Sequence, residues 1–152
     1  ILSCLVGSDM FIIDSLESSG IFEALQERSN NGMPILGTCA GMILLSSKIT
    51  DGRNDQKPLK LIDIEVRRNG YGRQIDSFES DLMVEGFENF FKGVFIRAPL
   101  VESVGENVDV LAELNGQPIM CRQESTIVTS FHPELADDDR IHAEFLEMVS
   151  NS

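Results

Sequence analysis

Residues 31–47 read NGMPILGTCAGMILLSS, and the reading of this stretch decides the fold. A short apolar run containing Met33, Ile35 and Leu36 meets Gly37, and an apolar stretch follows Gly41. Gly37-Thr38-Cys39-Ala40-Gly41 has the glycine-x-nucleophile-x-glycine shape, in which flanking glycines let a strand and a helix approach while the central side chain points outward. MPILG is therefore expected to be a buried strand, and residues 40–47, which lack polar alternation, a buried helix beneath the bend. The helix start carries unpaired N–H groups and the positive end of a dipole, which favour a thiolate over a thiol. The N–H of Ala40 would face an oxyanion formed at the attacked carbon. A small sulfur-bearing residue filling core space is the other reading of Cys39, and this stretch alone leaves both open.

A thiol nucleophile needs a base, and the chain holds two histidines. His132 follows the apolar run TIVTSF and sits in SFHPE, where Pro133 constrains the backbone and Glu134 lies two positions on. In an extended stretch residues i and i+2 point to one side, so Glu134 can orient the imidazole and a Cys39-His132-Glu134 triad is geometrically accessible. His142, beside Ile141 in the closing segment, reads as a helix-surface residue. Arg67, Arg68 and Arg73 concentrate in RRNGYGRQ, and FIRAP adds Arg97. Arginine is shaped to grip a carboxylate at two points, so Arg68 and Arg97 suit a substrate with a free α-carboxylate, with solvated strand-edge charge as the alternative. NGYG does not complete a dinucleotide fingerprint, and no phosphate-binding loop or metal-ligand spacing appears.

Outward from these motifs the order is mixed. Ile12, Ile13 and Leu16, then Ile21, Phe22 and Leu25, predict two short helices, and residues 48–60 a polar surface loop. Ile62, Ile64 and Val66 alternate with Asp63, Glu65 and Arg67 as in a half-buried strand, and GVFIRAP predicts another. Asn115-Gly116 between two apolar runs is a hairpin signal. LADDDRIHAEFLEMV, with acidic residues at its start and Ile141, Phe145, Met148 and Val149 at helical spacing, predicts a closing amphipathic helix. An α/β layer architecture follows, one opening βαβ unit short of a full parallel sheet.

The 152 residues suit one domain, 1–152, and 42% hydrophobic with 24% charged residues is an ordinary globular composition. A formal net charge of −13 would repel a polyanion, so nucleic acid is not the expected partner. No apolar run reaches the roughly 20 residues that cross a bilayer. Cys4, Cys39 and Cys121 are odd in number and lack C-x-x-C spacing, which points to a reducing cytoplasm rather than a disulfide framework or thiolate zinc site.

GTCAGMILLSSKI, RRNGYGRQIDSFESDL, GVFIRAP, GENVDVLAELNG and SFHPELADDDRIHAEFLEMV together resemble the glutaminase subunits of pyridoxal 5′-phosphate synthase, within the class I glutamine amidotransferases. The resemblance implies a flavodoxin-like three-layer α/β/α sandwich with a mixed, mostly parallel sheet whose first βαβ unit is missing or truncated. It also implies hydrolysis of L-glutamine to glutamate and ammonia, with Cys39 as nucleophile, His132 as general base and Glu134 as its orienting group. Arg68, Ile96 and Arg97 match glutamine-binding positions. No cofactor or metal is implied. The partner implied is a separate synthase barrel, which receives the ammonia through a protected channel.

The chain departs from this pattern at its start. LVGSDM stands where the family has PGGEST, which puts Gly7, Ser8 and Asp9 at substrate-loop positions. Gly7 keeps the glycine that offers a second oxyanion N–H, beside that of Ala40. Asp9 would repel a substrate carboxylate by on the order of 1 kcal/mol. A catalytically impaired binding subunit of the same complex is thus the alternative function, and a peptide-cleaving thiol hydrolase of the same fold a third. The opening strand is absent, so the sequence reads as an amidotransferase domain cut short at its beginning.

Overall fold

The computed structural model describes residues 20–68 and 77–151. The expected helix around Ile12 to Leu16, Cys4, the loop residues Gly7, Ser8 and Asp9, and Arg73 with all of NGYG lie outside the described residues. Helix α1 (Ile21–Asn30) leads into strand β1 (Ile35–Thr38), which bends at Cys39 into helix α2 (Ala40–Leu45). Strands β2 (Lys48–Ile49), β3 (Ile64–Arg67), β4 (Ser77–Leu82), β5 (Phe91–Ile96) and β6 (Leu100–Val104) follow. The chain continues through β7 (Asp109–Leu114), β8 (Gln117–Gln123) and β9 (Thr126–Thr129), a 3₁₀ turn at Pro133–Leu135, and helix α3 (Arg140–Asn151).

The central sheet has the order β1-β9-β8-β7. Because successive side chains in a strand point to opposite faces, this sheet sorts its apolar residues into two cores. Ile35, Val128 and Cys121 face one side, where Phe22 of α1, the apolar side chains of α2, and Ile64 and Val66 of β3 cover them. Leu36, Ile127 and Met120 face the other, against Phe91 and Phe95 of β5, Phe131, and Ile141 and Phe145 of α3. Helices thus close both faces, which is the three-layer arrangement expected. Each fully buried Phe, Leu or Ile contributes roughly 1.5–3 kcal/mol of transfer free energy.

The pairing is mixed. The ladders β1–β9 and β2–β3 are parallel, while β3–β6, β4–β5, β7–β8 and β8–β9 are antiparallel. Among the described residues the antiparallel share is larger than the sequence reading expected: two-residue links join β7 to β8 and β8 to β9, and links so short allow only antiparallel neighbours. Asn115 (φ 53°) and Gly116 (φ 78°) both take positive φ and set Leu114 opposite Gln117, the hairpin that the dipeptide foretold.

Other boundaries moved. Helix α2 stops at Leu45, and residues 48–60 contain the short strand β2 and a buried Gln56 instead of only surface loop. Strands β4 and β6 had no sequence forecast. Asp137, Asp138 and Asp139 precede α3 instead of occupying its first turn, and Val149 lies off the buried face, exposed. Among the described residues no helix is long and apolar enough to cross a membrane.

Candidate active site

The bend at Cys39 is strained. Its φ of 50° and ψ of −103° place a residue with a Cβ where glycine is at ease. Neighbouring backbone holds it there: the Cys39 N–H donates to the Thr129 carbonyl at 2.8 Å, and the Cys39 carbonyl accepts from Met42 at 3.0 Å. The first N–H groups of α2, at Ala40 and Gly41, have no acceptor within the helix.

Only one of the two flanking glycines is required by space. A Cβ on Gly37 would stand 2.6 Å from Leu45 Cδ1 and 2.9 Å from the Gly41 carbonyl carbon, whereas one on Gly41 would meet no described atom within 4 Å. Gly37→Ala should therefore destabilise the fold by about 3 kcal/mol. Gly41→Ala should leave stability unchanged or raise it by up to about 1 kcal/mol through helix propensity. Urea denaturation of the two variants checks this, and equal effects would refute the assignment of the tight contact to Gly37.

Beyond β9 the chain runs through Ser130 and Phe131 to His132. Phe131 is fully buried, with its ring 5.9 Å from that of Phe91 and 5.6 Å from that of Phe95. The His132 N–H donates to the Val94 carbonyl of β5 at 2.8 Å. Leu135 N–H then bonds to the His132 carbonyl at 3.1 Å, closing the 3₁₀ turn with Pro133 at its first position. This turn, and not an extended i to i+2 step, carries the Glu134 carboxylate back to the imidazole: Oε1 lies 2.6 Å from Nδ1. The Cys39 side chain is close enough to the ring to dominate its titration, and with Nδ1 taken by Glu134 the nitrogen left to serve it is Nε2.

Both Cys39 and His132 are buried, at 7% and 5% exposure. The His132 pKa is pushed up to about 10 by its hydrogen bond to Cys39 first and to Glu134 second, against the opposing effect of burial. The imidazole is thus held as a cation at neutral pH. Cys39 Sγ also lies 3.7 Å from the Ile96 carbonyl oxygen. With its proton the sulfur donates there. The thiol and imidazole together can attack an electrophilic carbon and protonate a leaving amine.

The structure thus joins Cys39, His132, Glu134 and the Ile96 carbonyl. Arg97 follows directly, exposed and at φ 44°, another non-glycine residue in the left-handed region. Arg68 is half-buried at the end of β3, its N–H on Asp51 Oδ1 at 2.7 Å and its Nη1 3.5 Å from Gln56 Oε1. Arg67 pairs with Glu102 across the strands. His142 is half-buried on the wall of an open hollow of about 640 Å³ that also touches Glu134 and Asp139 but not Cys39. The sequence reading missed Val94 and Phe131, whose signals were only apolar alternation.

Over residues 7–151 the chain matches the SNO glutamine amidotransferase family. The chain belongs to that family. Pyridoxal 5′-phosphate synthase subunit PdxT of Fervidobacterium nodosum is 48% identical over 143 residues, covering 94% of this chain and 74% of that protein. The subunit of the same name from Oceanobacillus iheyensis is 46% identical over 146 residues, 96% of this chain and 72% of the relative. The chain therefore spans about three quarters of the length of these relatives. A crystal structure of a glutamine amidotransferase superposes with a TM-score of 0.89 at 42% identity, over 95% of this chain and 76% of the other. A GMP synthase subunit from Thermoplasma acidophilum, at 14% identity and a TM-score of 0.60 over 86% of this chain and 64% of the other, shares the fold alone.

Proposed function

We propose that this chain hydrolyses L-glutamine to L-glutamate and ammonia as the glutaminase subunit of a pyridoxal 5′-phosphate synthase, working as one amidotransferase domain in the cytoplasm. The His132-Glu134 bond, set beside Cys39 at a strained bend, carries this reading. Cys39 Sγ attacks the carboxamide carbon, and the oxyanion is received by the N–H of Ala40 and, in this reading, that of Gly7. Collapse of the tetrahedral species breaks the C–N bond as the His132 imidazolium delivers its proton to nitrogen, releasing ammonia and leaving a thioester.

The thioester sulfur carries no charge, so the strongest influence raising the His132 pKa is gone. The neutral imidazole can then take a proton from water, whose oxygen attacks the thioester carbon; the C–S bond breaks, its electron pair returns to the Cys39 sulfur, and glutamate is freed. Glu134 keeps Nδ1 protonated throughout, leaving Nε2 for both transfers. Arg97 and Arg68 are assigned to the substrate α-carboxylate, and the resemblance assigns Ser8 and Asp9 to the same substrate. The Ile96 carbonyl is placed to accept an N–H from the departing nitrogen. Ammonia released into water at neutral pH would be protonated and lose its nucleophilic lone pair, so delivery to a synthase barrel through a shielded route follows chemically.

Glutamate release by this chain with and without the synthase barrel tests the reading. Release that rises when the barrel is added is expected. No release in either condition, with the fold intact, would leave the impaired binding subunit.

A pH measurement checks the proton assignment. His132 should titrate near 10 by NMR of its ring, staying cationic below that pH and neutralising above it, and Cys39→Ala should lower the midpoint by removing the leading cause of the shift. Glu134→Gln keeps an acceptor for Nδ1 but removes its charge, so it should also lower the midpoint and slow turnover by about tenfold or more. A midpoint within one unit of 6.5 in the unaltered protein would refute the ion pair.

A further inference from the structure

We infer that Arg140, the first residue of α3, is a positioning residue that holds the His132-Glu134 segment in register with β5. The inference rests on the glutaminase reading above. Strand β5 touches both reacting residues: its Val94 carbonyl receives the His132 backbone N–H, and its Ile96 carbonyl faces Cys39 Sγ. Past the 3₁₀ turn the chain is tied back to the beginning of the same strand by Arg140.

The guanidinium of Arg140 makes a dense set of contacts. Nε lies 3.0 Å from both carboxylate oxygens of Asp138, and Nη2 lies 2.5 Å from Asp138 Oδ2. Nη1 donates to the Asn89 carbonyl at 3.1 Å and Nη2 to the Phe90 carbonyl at 2.8 Å, the two peptides that lead into Phe91 of β5. The planar group also lies over the Phe87 ring at 4.7 Å and near the Phe91 ring at 5.8 Å. Phe91 in turn packs on Phe131, the residue before His132. The Arg140 backbone N–H bonds Asp138 Oδ1 at 3.1 Å, so the same carboxylate also fixes the entry to α3.

The segment from His132 to Arg140 is therefore fastened to β5 at both ends, at Val94 and just before Phe91, with the His132-Glu134 bond strung between the two fastenings. A single partly exposed ion pair adds little stability. A planar fork that satisfies one carboxylate and two carbonyls together fixes orientation instead, which a lysine point charge cannot copy. Small displacements of a proton-transfer group are costly, with about 1 Å worth as much as a hundredfold in rate.

The test uses Arg140→Lys, Arg140→Ala and Asp138→Asn. Glutamate release is measured in the complex with the synthase barrel, per thiol titrated by an electrophilic glutamine analogue, and the His132 ring is titrated by NMR in the chain alone. We expect kcat per titrated thiol to fall roughly tenfold to a hundredfold with KM within about twofold, and the His132 midpoint to fall by about one unit or more. Lysine should not restore turnover.

A lowered melting temperature with unaltered kcat per titrated thiol and an unaltered midpoint would show Arg140 to be structural only, and full activity with lysine would equally overturn the proposal. Should Arg140→Ala fail to fold, the other two variants decide. If the unaltered protein releases no glutamate, the glutaminase reading fails, while the His132 titration still decides what Arg140 does.

Discussion

Cys39→Ala and Cys39→Gly should both abolish glutamate release in the presence of the synthase barrel, and the glycine variant should be the more stable of the two. Loss of the sulfur removes the covalent route, so turnover is expected to drop by at least about a thousandfold in either variant. Stability separates them. At φ 50° and ψ −103° a Cβ costs about 1–3 kcal/mol, while glycine loses roughly 0.5–1 kcal/mol more backbone entropy than alanine on folding. The difference leaves glycine ahead by about 1 kcal/mol, the reverse of the order found at ordinary positions. Urea denaturation with a glutamate-release assay reads both effects. Residual release above background would show that Cys39 is not the nucleophile, and an alanine variant as stable as the glycine one would show that the bend is not strained.

The second large effect belongs to His132. In the proposed reaction His132→Ala removes the acid that protonates departing ammonia and the base that activates water. A fall in kcat of about 10³ or more is expected, together with slower alkylation of Cys39 at neutral pH. Because both side chains serve one reaction coordinate, the double variant with Cys39→Ala should be no slower than Cys39→Ala alone. Additive losses would mean that the two act separately. Iodoacetamide labelling read by mass spectrometry follows the thiol, and Cys121, fully buried with its thiol pushed up to about 12 by burial, provides an unreactive internal control.

These outcomes bear on why so much of the site was readable before the fold was known. The bend at Cys39 is local: Gly37 must lack a side chain because Leu45 and Gly41, within a few positions of it, fill that space. The Asn115-Gly116 turn is local as well, since both residues must take positive φ. So is the His132-Glu134 bond, which one 3₁₀ turn after Pro133 delivers. The carboxylate fork on Arg140 was not readable, because its carbonyl acceptors at Asn89 and Phe90 lie about 50 positions away. Nor was Gln56, whose polar surroundings suggested exposed loop although it is buried against Arg53 and Arg68. Strands β4 and β6 escaped for a related reason: Ser77–Leu82 and Leu100–Val104 are half polar, and hydrogen bonding to β5 and β3 makes them strands.

From the residues alone, then, came the kind of chemistry: a thiol on a glycine-flanked bend, an imidazole with a carboxylate two positions on, and arginines in an acidic chain. Their meeting was decided by the tertiary structure. Thr38 pairs with Thr129 in the parallel ladder of β1 and β9, so the two strands end side by side, and the Cys39 N–H reaches across to the Thr129 carbonyl. That pairing follows from burying Leu36 with Ile127 on one face and Ile35 with Val128 on the other. Such burial belongs to the whole chain, and no short stretch can specify it, because each strand contributes only half of the surface that leaves water.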